Sequence, residues 1–513
     1  MGSVTEARAR FGSSLAAARF NAGYLTQQAW ADALNELASA PTLTRAEVGR
    51  WERGVRVPHA WLPLIAHSLG LPLLDLARAA AVARRADGST GATPSASSAA
   101  ESVSHCPADQ PDPDRSSLQT FAVPADDGLD VAWNGTGFLQ LLEGWSYPML
   151  NRRSFLTIAG VALTQPAWSA VDQPAPSLAA AQGDEMRVSD PLLSLIEDVV
   201  AHAQRLDDHA GGGAADFVEA QFGQVAQLLR RASYDAASGR RLAASAAQLA
   251  QTAGFMAYDA GHDGAAQRWY LTGLRAAHAA ADPGLSASIL GLMSNQAITL
   301  GALADATQLG SAASEAAAKS PPVVQALLAA RVSLAHAASG DLTAHRYACD
   351  RMRGALKSAE VGGEPVPRWA TYVTPTELDA IAGRGMVMLA GHVPGSRAKH
   401  LLIEAEQLLV GRARTGAGEV PQRSALRHGA WLALAHVRTG ELDSAVAAGR
   451  QCLPRLRTVA SVRSVRLLGR LRRELAPHAR RSIEVSELLR ELSGYLDSPT
   501  QQDPGDDGVP VRV

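Results

Sequence analysis

The stretch LAHVRTGELDSAVA, residues 434–447, joins an apolar helical segment to a second helix through one glycine, Gly440. Three other stretches follow the same plan: AYDAGHDGAAQRWY (257–270), AITLGALADATQLG (297–310) and AHAASGDLTAHRYA (335–348). The glycines at these and one further turn are Gly261, Gly301, Gly340, Gly391 and Gly440. Glycine permits a tight turn between helices because it has no Cβ. Small residues after the turns (Ala266, Ala306 and Ala445) let the paired helices approach closely, so the pattern predicts a series of helix pairs.

The helix pairs extend through residues 188–497. One pair cannot bury its own apolar face, but a stack of pairs can. The region resembles tetratricopeptide (TPR) repeats, although its spacing exceeds the roughly 34 residues of that family, which implies longer helices or looser links. The resemblance implies a TPR-like α-solenoid whose groove would bind a peptide or protein effector or mediate self-association. The alternative is an irregular all-α bundle.

Residues 1–85 contain a different pattern, centred on VGRWERGVRVP (48–58). Thr26 can cap a helix over residues 27–37. Thr44 can cap a second helix that ends near Arg53, with Gly54 just beyond it. A third helix is predicted over residues 61–69. The predicted inward residues are Trp30, Ala33, Leu34 and Leu37 of the first helix, Val48 and Trp51 of the second, and Leu62, Ile65, Ala66 and Leu69 of the third.

Two short motifs connect this pattern with a known family. Leu25-Thr26-Gln27 opens the first helix, and Trp51-Glu52-Arg53-Gly54 with Pro58 closes the second. Together they resemble the helix-turn-helix of Cro- and lambda-repressor-like (XRE) regulators, which bind DNA through the second helix. The segment Glu36–Thr42 makes the turn between the two helices longer than in that family.

The resemblance implies a set of DNA-contacting residues. They are Gln27, Thr44, Arg45, Ala46, Glu47, Arg50, Arg53 and Arg56. Arg45, Ala46 and Arg50 would face the bases, where an arginine can bond both O6 and N7 of guanine. Gln27, Arg53 and Arg56 would contact phosphates. Glu47 could accept from a cytosine amine or complete the helix cap.

A second implied set is structural. It comprises Arg19, Trp51, Glu52, Gly54 and Pro58. Trp51 would hold the second helix to its core, Glu52 would pair with Arg19, and Gly54 with Pro58 would end the helix.

Charge is balanced over the whole chain but not within it. The 513 residues carry 48 basic and 50 acidic side chains, a net charge of −2. This balance excludes a uniformly basic nucleic-acid-binding coat. Residues 1–85 carry ten arginines against six acidic residues, a local excess of +4. The basic surface is therefore expected to be small and N-terminal.

Composition divides the rest of the chain. Residues 86–128 are rich in Ser, Pro, Gly and Asp, which predicts a disordered linker. Residues 129–187 are predicted to be a helical connector, and residues 498–513 a disordered tail. Within the connector, NRRSFLTIAGVALTQPAWSA (151–170) is similar to a twin-arginine export signal. Its internal position favours a packing helix, with export of a product starting at Met149 as the alternative.

One basic segment lies near the end of the repeats. Residues 455–475 predict an amphipathic helix with a stripe of Val459, Val462 and Val465. Its arginines are interpreted as a solvated face, with added non-specific DNA affinity as the alternative.

Other classes of protein find little support in the sequence. Three distant cysteines (Cys106, Cys349 and Cys452) predict neither a disulfide framework nor a zinc site. No signal peptide or membrane-spanning run is recognised, and no phosphate-binding loop or catalytic motif is found. We therefore expect a cytoplasmic protein that is not an enzyme, without cofactor, metal or membrane contact.

Together the two resemblances predict a function. The all-α chain would be a transcriptional regulator that binds double-stranded DNA. A homodimer is expected, because one such domain reads only part of a site. The alternative is a TPR scaffold protein whose N-terminal helical domain binds a protein instead of DNA.

Overall fold

The computed structural model describes most of the two folded regions. It covers residues 24, 26–37, 43–58, 61–69, 131–144, 157–175, 178, 181, 186–416, 418–419 and 421–496, with isolated positions at 8, 11–13, 15–16, 18–19, 76 and 80. The predicted linker and tail lie outside the described residues. The chain forms two compact units, Met1–Asp112 and Pro113–Val513.

The N-terminal unit contains three described helices of defined extent. They are α1 (Gln27–Leu37), α2 (Arg45–Glu52) and α3 (Leu62–Leu69). Its core includes Trp30, Leu34, Val48, Trp51 and Ile65, none more than 1% exposed. The ring of Trp51 packs edge-on against Trp30 at 6.4 Å and lies 6.2 Å from Trp61.

The predicted inward faces of these helices need one correction. On α1 the buried alanine is Ala31, whereas Ala33 is only half-buried. The reason is that the face of α1 that packs on its neighbours is centred between Trp30 and Leu34, and Ala31 lies on that side. The side chains of Leu37 and Ala66 lie outside the description.

The C-terminal unit begins with two connector helices and two longer helices. They are α4 (Gly135–Gly144), α5 (Val161–Asp172), α6 (Asp190–Ala210) and α7 (Ala215–Arg231). The remaining helices are α8 (Ala236–Asp259), α9 (Asp263–Ala279), α10 (Pro283–Thr299), α11 (Leu303–Ala316), α12 (Pro322–Ala338), α13 (Leu342–Gly362), α14 (Pro375–Leu389), α15 (Gly395–Ala413), α16 (Gln422–Thr439), α17 (Leu442–Cys452), α18 (Val462–Leu475) and α19 (Ile483–Leu496). Apart from isolated bridges, the regular structure of the described residues is helical.

Consecutive helices from α8 onward pack as pairs in a solenoid-like array, which confirms the all-α fold. Helices α8, α10, α12, α14, α16 and α18 each contact the next member of this series. We call these six the inner helices. Ala266, Ala306 and Ala445 are fully buried where paired helices meet, as predicted.

The turn glycines adopt the expected conformation at four places. Gly261, Gly301, Gly340 and Gly440 have positive φ angles between +74° and +89°. Gly391 lies in a turn but does not have a positive φ. Helix α14 ends at Leu389 and α15 begins only at Gly395, so this longer link can reverse the chain direction without a left-handed residue at Gly391. Between α9 and α10, Ala281 takes φ +57° in a turn that contains no glycine at this position.

Helix α5 packs on the repeat helices, as the packing-helix interpretation of the export-like segment expects. The backbone NH of Gly160 donates to Asp305 at 2.8 Å, and that of Ile158 donates to Gln267 at 2.6 Å. Arg152 and Arg153 lie outside the described residues. Among the helices of the described residues, none combines the length and apolar character that a membrane crossing needs.

The basic segment near the C-terminus differs from its prediction. Helix α18 starts only at Val462, and its buried apolar face is formed by Leu467, Leu468, Leu471 and Leu475. The valine stripe fails because Val459 precedes the helix and Val462 and Val465 are only half-buried. One of its arginines, Arg463, points inward and is 7% exposed.

The array also returns on itself. Helix α6 contacts α16, although more than two hundred residues separate them in sequence. Nearby, the backbone NH of Gly212 donates to the carbonyl of Ala460 at 3.1 Å. The inner helices therefore enclose a space, and α6 lies along one side of it.

Candidate nucleic-acid interface

Both ends of α2 are fixed by local hydrogen bonds. The hydroxyl of Thr44 accepts from the backbone NH of Glu47, which caps the N-terminus. Gly54 has φ +68°, and the NH of Val55 donates back to the carbonyl of Arg50 at 2.9 Å. This is a Schellman turn, which requires a left-handed residue where the sequence places a glycine. The orientation of α2 is thus set by its own flanking residues.

The inner face of α2 is held tightly. Val48, Gly49 and Trp51 are buried. Gly12 lies so close that a Cβ on it would stand 2.4 Å from the carbonyl oxygen of Glu52. Only glycine fits at this contact, so the backbone at Gly12 packs directly against the backbone at the end of α2.

The outer face of α2 is exposed. Arg45, Ala46 and Arg50 are all exposed, as is Thr44 before them. The side chain of Arg50 is 55% exposed and that of Arg56, in the following loop, 70%. These residues lie on the side of the helix where contacts with bases and phosphates were expected; Arg53 is exposed at the helix end.

Glu47 forms two ion pairs on the surface of α2. Its two carboxylate oxygens pair with Arg50 at 2.8 Å and with Arg56 at 2.9 Å. Slight burial opposes ionisation, but these contacts outweigh it and lower the pKa of Glu47. The carboxylate therefore orders two exposed arginines instead of reaching back to the helix cap.

Glu52 joins α2 to the preceding helical residues. Arg19 Nε lies 2.6 Å from Glu52 Oε1, the pairing that the resemblance implies. Gln27 Nε2 donates to Glu52 Oε2, also at 2.6 Å. One amide hydrogen of Gln27 is thereby used inside the protein.

The long turn between α1 and α2 is closed by a side chain. The amide of Asn35 donates to the carbonyl of Leu43 and accepts from its NH, both at 2.8 Å. Leu43 is buried, and Trp30 Nε1 donates to Ser68 Oγ of α3 at 2.9 Å. Pro58 is buried after the turn. These contacts position α2 despite the extra residues before it.

A second polar site, which the sequence did not predict, lies among the inner helices of the C-terminal unit. It is a cavity of about 160 Å³. We call it the inner cavity. The arginines that line it are Arg331, Arg384, Arg423, Arg427 and Arg463. The carboxylates that line it are Asp207, Asp208 and Glu377.

Each lining carboxylate has an arginine partner. Arg423 Nη2 lies 2.9 Å from Asp207 and 3.0 Å from Asp208. Arg412 Nε lies 2.8 Å from Glu377, which also accepts from Ser424 Oγ at 2.7 Å. Burial raises the pKa of Asp207 to about 7, although Arg423 opposes the rise. Burial would also raise the pKa of Glu377, but His428, Arg412 and Ser424 lower it to about 2.

One signal in the sequence could have revealed this site. Arg384 stands between Gly383 and Gly385 in an otherwise apolar helical segment. A lone arginine flanked by glycines and apolar residues is more consistent with an interior position than with a solvated face. Within the described residues, no group of His, Cys, Asp and Glu side chains is arranged to hold a metal ion.

Comparisons with known proteins give no match to this chain, whether with family models, with curated proteins or with solved structures.

Proposed function

We propose that the protein is a sequence-specific DNA-binding transcriptional regulator of the XRE type. The observation that carries the proposal is α2 itself. This helix is clamped on one face by Val48 and Trp51 and offers Arg45 and Arg50 on the other. A rigid helix with extended donors on its free face is what the major groove accepts.

Charge supports the same proposal. The local arginine excess of the N-terminal residues would provide the sequence-independent attraction to phosphate. Arg53 and Arg56 follow the helix and are exposed, as backbone-contacting residues must be. Glu47 would then move from Arg50 and Arg56 toward a base, or keep both arginines aligned.

The C-terminal unit would contribute effector binding or self-association. One α2 helix reads only part of an operator, so two copies on inverted half-sites would multiply affinity. Two half-sites would be bound by a homodimer in the cytoplasm. The TPR-like array is the part of the chain that would bind a peptide or protein effector.

The decisive experiment is chromatin immunoprecipitation with sequencing of the full chain and of the double variant Arg45→Ala/Arg50→Ala. We expect enriched inverted repeats with the wild-type protein and their loss in the variant. Arg346→Ala on α13, another exposed arginine, serves as the matched control and should keep full occupancy. Circular dichroism checks that both variants fold.

Unchanged occupancy in a folded double variant would contradict the proposal. Recovery of a protein partner that depends on Arg45 and Arg50, without any enriched DNA, would favour the scaffold alternative.

A further inference from the structure

Two arginines of the inner cavity form no ion pair with the residues that the structure describes. Arg384 of α14 is 6% exposed, and Arg427 of α16 is half-buried. Neither forms a hydrogen bond or an ion pair with any residue that the structure describes, and the Nε atom of each is buried without a partner. Burying an unpaired guanidinium is unfavourable. A cavity that retains two of them is suited to an anion that supplies the missing charge.

A third arginine faces the same space. Arg463 Nη1 lies 3.6 Å from Asp259, too far for a hydrogen bond, and its Nε and Nη1 have no hydrogen-bond partner among the described residues. Its guanidinium lies 3.6 Å from the centre of the Tyr258 ring, which fixes its position. Burial, together with the charge of Arg463, lowers the pKa of Arg384 to about 10, so it stays charged at neutral pH.

The remaining charges of the cavity are already engaged. Asp207 and Asp208 hold Arg423, and Arg412 holds Glu377. Arg331 donates to the carbonyl of Ser288 and to the hydroxyl of Tyr372. Among the described residues, none of these carboxylates forms an ion pair with Arg384 or Arg427. Asp259, which lies beside Arg463, acts on Arg427 only at longer range.

The cavity also presents neutral acceptors. Gln251 Oε1 and Asn295 Oδ1 are buried and have no hydrogen-bond partner among the described residues. Both residues line the cavity. Carbonyl oxygens of this kind accept from hydroxyl or amine groups. A protonated amine would add positive charge beside the arginines, so we expect the ligand to carry hydroxyl groups beside its anionic group.

Size restricts the ligand further. The volume of about 160 Å³ lies below the roughly 300–1,000 Å³ of pockets for drug-sized molecules. This volume favours a small molecule over a peptide segment.

We propose that the inner cavity binds a small phosphorylated polyol, with the phosphoryl oxygens held by Arg384, Arg427 and Arg463 and the hydroxyl groups by Gln251 and Asn295. A phosphoryl group has three terminal oxygens and close to two negative charges, enough for several guanidinium groups at once. A carboxylate has two oxygens and one charge and is matched by a single arginine.

This site is separate from the proposed DNA contacts. The binding of a phosphorylated polyol is measured without DNA, so a failure of DNA binding and a failure of this site are distinguishable.

The test is isothermal titration calorimetry of the full chain with ribose 5-phosphate, with ribose, with inorganic phosphate and with succinate. We expect ribose 5-phosphate to bind most tightly and inorganic phosphate more weakly, with no detectable binding of ribose. Succinate binding as tightly as ribose 5-phosphate would overturn the phosphoryl assignment. Absence of binding by both phosphate compounds would overturn the site.

Variants locate the binding. Arg384→Met with Arg427→Met should weaken ribose 5-phosphate binding by at least about tenfold, the usual effect of losing hydrogen bonds to a charged group. Arg353→Gln removes an exposed surface arginine and should bind as the wild type does. Unchanged binding in the double variant would refute the assignment.

If the double variant does not fold, Arg427→Lys replaces it. Lysine keeps the charge but loses the planar fork, so binding should still weaken severalfold. Asn295→Leu should weaken ribose 5-phosphate binding while leaving inorganic phosphate unaffected. Equal loss for both compounds would contradict the polyol part of the proposal.

Discussion

The arginines of the two units lie in opposite environments. On α2, the Arg50 side chain is 55% exposed and shares a carboxylate with Arg56 at the surface. In the inner cavity, Arg384 is 6% exposed and has no carboxylate partner among the described residues. An exposed arginine stays hydrated, so the protein can present it without a ligand at little cost in stability. A buried one must be paired, or it destabilises the fold until a ligand arrives.

This difference gives each arginine a distinct expected effect on stability. Removing a surface ion pair should change the free energy of unfolding little. Removing one partner of a buried pair should lower it strongly, and removing an unpaired buried arginine should not lower it.

The largest effect is expected for the paired arginine of the cavity. Arg423→Ala leaves the buried Asp207 and the half-buried Asp208 without their cation, and should lower the free energy of unfolding by about 3–5 kcal/mol. Urea denaturation followed by circular dichroism measures it. The control Arg346→Ala removes an exposed pair with Glu404 and should change stability by less than about 1 kcal/mol. Equal effects of the two substitutions would show that burial does not distinguish these pairs.

Removing the unpaired Arg384 should not lower the free energy of unfolding, in contrast to removing Arg423. Arg384→Met replaces an uncompensated charge by an apolar side chain of similar length, and without ligand the free energy of unfolding should stay the same or rise by up to about 1–4 kcal/mol. The same denaturation assay applies. A clear loss of stability would mean that Arg384 is already compensated in the free protein.

The pH dependence of stability isolates Asp207. Burial raises the pKa of its carboxyl from the ordinary value of 3.8 to about 7 in the folded protein. Among its charged neighbours, Arg423 opposes the rise, whereas Asp208 and Asp259 add to it. Between these two values the folded state retains a proton that the unfolded state has released, so raising the pH favours unfolding. Glu377, with a pKa of about 2, stays ionised above pH 5 and adds no slope there.

We therefore expect the wild type to lose stability relative to Asp207→Asn as the pH rises from about 4 to about 7. Denaturation midpoints at four pH values test this. Parallel curves for the two proteins would rule out a raised pKa at Asp207.

The smallest effect on stability is expected at the α2 surface. Glu47→Gln breaks two exposed ion pairs, so the free energy of unfolding should change by less than about 1 kcal/mol. Removing the carboxylate also frees Arg50 and Arg56 for phosphate. Affinity for random-sequence DNA should rise by about two- to fivefold, with a steeper salt dependence. Fluorescence anisotropy at several salt concentrations measures both, and weaker binding would indicate that Glu47 aligns the arginines.

Local features of the fold were predictable from the sequence. The caps at Thr26 and Thr44 and the glycine turns depend on a few neighbouring residues, and the structure contains them. Local rules failed where a longer link or a neighbouring helix decided the outcome. Gly391 needs no left-handed backbone in its long turn. The buried face of α18 is formed by leucines and not by the predicted valines, because the helix starts later than predicted.

The inner cavity was beyond such rules. Its charged residues come from α6, α12, α14, α16 and α18, and only the packing of distant helices brings them together. In sequence, Arg423 and Arg463 are indistinguishable from arginines on a solvated face. For the N-terminal unit the situation is reversed, since the exposed residues of α2 follow from helical periodicity and one family resemblance. Whether those residues contact DNA stays a prediction.

The contact between α6 and α16 has a consequence for how the chain acquires its structure. Open repeat arrays can grow unit by unit from either end, because each unit needs only its neighbours. Here Asp207 cannot pair until the ribosome has added Arg423, 216 residues later. During synthesis, which proceeds N-terminus first, the cavity stays incomplete until α16 and α18 have emerged. Fragments that stop before α16 should therefore leave Asp207 and Asp208 in water without their arginine partner.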